Sequence, residues 1–200
     1  MKILRLLLIS LYLSSCASIC KIDSFEIKTD SSTIKIADSE FTCKKKEDFI
    51  KSAKLTTKAI YSEQFLTELR NYIKDSITEG PHKKAWENLN ADNIVMSMKK
   101  QINGTHVDTY GGIKGWWLSI FYGNIAFDGT KNGPIRYNRI PLRKRTIPQI
   151  SNTLAHEVAH RIGLKHPHSD TNLEIAKKEP PYVIQDIIER LVKQELNKIK

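Results

Sequence analysis

Three imidazoles, a carboxylate and a glycine fall within one short segment, His156-Glu157-Val158-Ala159-His160-Arg161-Ile162-Gly163-Leu164-Lys165-His166. On a helix, positions i and i+4 lie one turn apart on the same face, so His156 and His160 can aim at one point. Gly163 can adopt a left-handed conformation without steric cost, which lets the chain leave the helix and bring His166 back as a third ligand. Three neutral nitrogen donors with one open position describe a catalytic zinc site rather than a closed structural one. Zinc lowers the pKa of a water to about 7, and Glu157 is placed to accept its proton and hand it to a leaving amine. The chemistry so specified is peptide-bond hydrolysis. The H-E-x-x-H half of the pattern is only suggestive, whereas the full H-E-x-x-H-x-x-G-x-x-H arises by chance on the order of once in 10⁵ such chains. His168 is an alternative third ligand, but its spacing from Gly163 departs from the pattern.

The elements that must position these groups are legible in outline. Leu154, Val158, Ala159 and Ile162 mark a helix that Ser151 or Asn152 can cap and Gly163 ends. After Pro180-Pro181, the residues Val183, Ile184, Ile187, Ile188, Leu191, Val192, Leu196 and Ile199 trace one apolar face of a C-terminal amphipathic helix. Earlier, Phe65, Leu66, Leu69, Tyr72, Ile73 and Ile77 recur at helical spacing until Gly80-Pro81, and the charged run Lys44 to Asp48 reads as a solvated junction into helix. Residues 21–43 read as a hairpin, with Phe25, Ile27, Ile34 and Ile36 flanking Thr29-Asp30-Ser31-Ser32. Short β-rich runs, Ile94 to Met98, Trp116 to Tyr122 and Asn124 to Phe127, are the expected sheet. The fold class is α+β, a twisted mixed sheet packed on helices.

The N-terminus carries a different message. Lys2 and Arg5 form a basic region ahead of the apolar stretch Ile3 to Leu13, as in an export signal, and the stretch ends in Leu13-Ser14-Ser15-Cys16. This resembles the lipobox of bacterial lipoproteins, which implies cleavage before Cys16 and a lipid anchor on its sulfur. Ala17 in place of an aspartate then implies the outer membrane of a two-membraned cell. The organisation expected is a signal over 1–15, a lipidated N-terminal segment over 16–46 and a zinc metallopeptidase domain over 47–200. Export to an oxidising compartment makes Cys20 and Cys43 candidates for a disulfide. The formal charge of +10 favours encounters with acidic partners and headgroups, while export disfavours nucleic acid. The expected partners are a peptide or protein substrate and the membrane, with the chain itself a monomer.

The histidine segment resembles the metzincin clan of zinc metallopeptidases, which carry the same extended motif. The resemblance is tight over residues 156–166 and loose elsewhere. It implies a mostly parallel sheet backed by helices above a cleft, zinc on His156, His160 and His166, and Glu157 as general base. It also implies that an edge strand, here Asn124 to Phe127, pairs with an extended substrate. Metzincins place a methionine in a turn beneath the metal, yet Met1, Met96 and Met98 all precede the motif. Pro180-Pro181-Tyr182 lies where that turn is expected, and Tyr182 is a candidate to bind metal or stabilise an oxyanion, or else a packed core residue. Two other functions fit the same residues: a zinc-stabilised surface lipoprotein that binds partners without catalysis, and a zinc amidase acting on cell wall.

Overall fold

The computed structural model describes residues 19–22, 25–29, 32–36, 39–78, 83–111, 126–128, 133–166 and 176–199. Within them, Ile19–Ile22 (β1) pairs antiparallel with Ser39–Thr42 (β4) as a separate ribbon. A five-stranded sheet has the order β2-β3-β5-β7-β6, built from Phe25–Lys28 (β2), Thr33–Ile36 (β3), His106–Tyr110 (β5), Ala126–Asp128 (β6) and Ile135–Asn138 (β7). β3, β5 and β7 run parallel at its centre, while β2 and β6 are antiparallel edges, so the sheet is mixed. The hairpin expected over 21–43 is β2 and β3, and its turn is closed by Thr29 and Ser32 through backbone and hydroxyl bonds. Through β3 it joins the sheet built by β5 and β7.

Helices supply the opposing layer. Cys43–Tyr61 (α1) buries Phe49, Ala53 and Ile60, and Glu63–Thr78 (α2) buries Phe65, Leu69 and Ile73, each set at helical spacing. Lys83–Trp86 (α3), Ala91–Ile102 (α4), Arg139–Leu142 (α5), Ile147–Arg161 (α6) and Pro180–Lys198 (α7) follow. The core is continuous across both layers: Tyr137 of β7 is fully buried, meets Phe49 of α1 edge to face at 5.3 Å, and donates its hydroxyl to Ile150 O of α6 at 3.4 Å. Small residues let α1 and α6 approach closely. Ser52 donates to Ile147 O at 3.0 Å and Ser151 donates to Ser52 O at 3.3 Å, with both serines buried.

Three expectations are corrected. Ile94 to Met98 is not a strand but part of α4, because Ile94, Val95, Met98 and Ile102 share one buried helical face and the Asn90 side chain caps the helix by accepting from Asn93 N. Lys44 to Asp48 is the opening of α1 rather than a junction before it. The cap of α6 is Thr146, in a capping box with Gln149 and with proline in the first turn, not Ser151 or Asn152. Those two are buried inside the bundle, where Asn152 donates to Glu189 of α7 at 2.7 Å. Trp116 to Tyr122 lies outside the described residues, and of Asn124 to Phe127 only the last two positions are described, as the start of β6.

Candidate metal centre

α6 buries Ile150, Leu154, Ala155, Val158 and Ala159, and packs against α1 and α7. That burial fixes the rotation of the helix, leaving His156 and His160 half-buried on its other side. The helix then ends as the sequence requires. Gly163 has φ of +95°, its N–H bonds His160 O at 2.9 Å, and Leu164 N–H reaches back to Ala159 O at 3.2 Å. This pair of bonds is the Schellman closure, and burial of Leu164 beside Ala159 anchors it. The chain reverses there and delivers His166 to the other two histidines.

The three nitrogens converge. His156 Nε2 lies 3.1 Å from His160 Nε2 and 3.1 Å from His166 Nε2, and the ligand atoms all fall within 4.8 Å of one another. Nitrogens bound tetrahedrally at about 2.0 to 2.1 Å from one zinc ion stand about 3.3 Å apart, so the spacing fits a shared cation. The outer nitrogens agree. His160 Nδ1–H donates to Leu164 O at 2.8 Å, and His166 Nδ1 faces Glu179 Oε2 at 3.3 Å. The carbonyl can only accept, so it holds the His160 ring proton on Nδ1 and leaves that Nε2 lone pair turned inward, while the Glu179 carboxylate stands on the outer side of His166. His156 Nε2 can donate fully to only one of its two neighbours, so the three nitrogens are not all satisfied by hydrogen bonds among themselves.

Burial favours the neutral form of two of the rings, His156 and His166. Burial, followed by the adjacent His160 and His166, pushes the pKa of His156 down to about 3, with the Gln185 side chain, accepting from the ring, opposing the shift. His166 is also lowered, by burial and then by His160, although Glu179 opposes the shift. A neutral imidazole is the ligand form.

The other candidates fall into place around this trio. Glu157 is 7% exposed, and its charge, after burial, raises the pKa of Tyr110 on β5 and of Tyr137 on β7. Tyr182 packs on the centre itself, with its ring 5.0 Å from His156 and 4.5 Å from His166. His106 is exposed at the far end of β5. Cys16 and His168 lie outside the described residues; β1 pairs Cys20 with Phe41, two positions before Cys43, and the side chains of both cysteines are likewise outside them.

Two neighbours of the centre have no signature in the sequence. Glu179 is a single glutamate beside a proline pair, and Tyr110 is a strand residue before Gly111-Gly112. Only tertiary packing brings them here. Comparison of the chain with family models, with curated proteins and with solved structures found no match in any of the three.

The turn gives a prediction of its own. A Cβ on Gly163 would meet nothing within 4 Å, so backbone strain alone opposes substitution. Gly163→Ala is expected to cost about 1 to 2 kcal/mol in chemical denaturation and to weaken metal binding by displacing His166. Gly163→Asn should cost less, because asparagine tolerates the left-handed region. Equal losses for the two variants would contradict this account of the turn.

Proposed function

We propose that this chain is a zinc-dependent endopeptidase of metzincin type, exported and held at a membrane by a lipid on Cys16. The observation that carries the reading is the convergence of His156, His160 and His166 through Nε2 lone pairs, with buried Glu157 next to the first of them. When bound, zinc supplies Lewis acidity that polarises a carbonyl and acidifies water. His156, His160 and His166 would hold the ion, with Leu164 O fixing the tautomer of His160 and Glu179 facing the outer nitrogen of His166. The Glu157 carboxylate accepts a proton from the attacking water and passes it to the nitrogen of the leaving amine. Tyr182 walls the centre on the α7 side and excludes water from two imidazoles.

The position of β6 as an antiparallel edge supports a cleft in which an extended peptide adds to the sheet. The α+β order also supports the clan assignment: a mixed sheet, the histidine helix, a glycine turn, then a terminal helix. The chain lacks the methionine of that clan's turn, and Tyr182, directly after Pro180-Pro181, packs its ring against His156 and His166. The test is cleavage of a mixed peptide library by the full-length chain. Cuts that disappear with a chelator and return with zinc are expected. Zinc binding without cleavage of peptides or of purified cell wall would favour a binding lipoprotein, and release of cell-wall amides alone would favour an amidase.

A further inference from the structure

Glu179 is the one buried acid whose carboxylate meets a triad histidine among the described contacts, and its burial is complete. An ionised carboxylate removed from water is costly unless its charge is compensated. Its surroundings explain both its position and its direction. Glu179 is the N-cap of α7, where a side chain ordinarily accepts from the N–H of the second or third helical residue. The second position here is Pro181, which carries no N–H, and the third is Tyr182, which keeps one. Proline therefore removes one of the two donors open to an N-cap carboxylate, and the side chain makes no cap bond. It turns instead to His166 Nδ1, 3.3 Å away.

The backbone beneath it is clamped. Glu179 N–H bonds Ala176 O at 3.0 Å, Val183 N–H bonds Glu179 O at 3.0 Å, and the indole N–H of fully buried Trp86 bonds Lys178 O at 2.8 Å. Tyr72 packs on Trp86 at 5.2 Å between ring centres and reinforces this anchor. His166, by contrast, stands beyond a glycine turn, outside any helix. Unlike His156 and His160, His166 has no helical backbone of its own to fix its ring.

From this geometry we infer that Glu179 is a positioning residue for His166: it holds the ring with Nε2 turned to the centre and supplies a negative charge that offsets a bound dication. The inference rests on the reading of the triad as a zinc site. Removing such an outer partner weakens metal affinity about tenfold to a hundredfold. The helix adds to the need for it, because the N-terminus of α7 carries a partial positive charge that would otherwise repel the cation.

The experiment is zinc affinity of the full-length chain, measured by competition with a chromophoric chelator, for wild type, Glu179→Gln, Glu179→Ala, His166→Ala and the double variant. Apo thermal unfolding is recorded for each. Glu179→Ala should weaken binding by about tenfold to a hundredfold, and Glu179→Gln by less, since its amide oxygen still accepts from Nδ1–H. In the His166→Ala background, the further effect of Glu179→Ala should shrink to about twofold or less, because the partner through which it acts is gone. A purely structural role would lower affinity equally in both backgrounds and would not be rescued by glutamine. Affinity lost as fully in Glu179→Gln as in Glu179→Ala, with an equal penalty for alanine in both backgrounds, overturns the inference. If alanine fails to fold, the same glutamine substitution in the two backgrounds decides the matter by the same comparison. Wild type that binds no zinc would instead sink the reading of the centre itself.

Discussion

Glu157→Gln is expected to keep its zinc and lose peptide hydrolysis by a factor on the order of 10² to 10⁴, the usual contribution of a positioned general base. Glutamine has nearly the shape of glutamate, so the 7% exposed site can accept it without a cavity. Among the described contacts, His160 Nδ1–H bonds Leu164 O and His166 Nδ1 faces Glu179 Oε2. The substitution therefore removes a proton acceptor and a negative charge while leaving the ligand geometry in place. Metal content and peptide cleavage, measured on the same preparation, separate these effects. Unchanged cleavage in the variant would remove Glu157 from the mechanism, and joint loss of zinc and cleavage would make it a structural residue.

His160→Ala is expected to have the largest effect on metal. Free energies of about 10 to 16 kcal/mol for zinc in small protein sites, shared among four ligands, assign roughly 3 kcal/mol to each, or about a hundredfold to a thousandfold in affinity. His160 should exceed His166 in this respect, for a reason visible in the turn. Its Nδ1–H also bonds Leu164 O, two residues before His166, so deleting the ring removes one ligand and loosens the segment that carries another. His166→Ala leaves the Gly163 closure intact. Calorimetric titration of zinc into the apo variants checks the order. A weaker effect at His160 than at His166 would contradict the coupling of ring and turn.

The sequence was most informative where the constraint was local. Gly163 was expected to be left-handed and has φ of +95°, because the need for that conformation is written in the spacing between helix end and third histidine. Pro180-Pro181 likewise marked the start of α7. Elsewhere local signals were ambiguous. A short apolar run such as Ile94 to Met98 suits a strand or a buried helix equally, and the decisive sign was the cap Asn90 ahead of it. Several capping residues crowd the approach to α6, and the pair Thr146 and Gln149 with Pro148 outweighs the serine and asparagine that follow.

The outer partners of the centre were illegible for a different reason. Glu179 reaches His166 across thirteen positions of chain, and its placement depends on Trp86, far earlier in the sequence. No spacing rule links such residues, since packing alone unites them. The same holds for Tyr110 of β5, whose pKa is raised by burial and then by Glu157, a residue of a later helix. The ligand set could be read from the motif, whereas what steadies and tunes it could only be read from the fold.

The central claim is the metal, and elemental analysis of the purified full-length chain tests it most directly. About one zinc per chain is expected in wild type, falling to background when His156, His160 and His166 are replaced together by alanine while the fold persists by circular dichroism. Wild type with no bound zinc after dialysis against trace zinc, or a triple variant that retains it, would contradict the account.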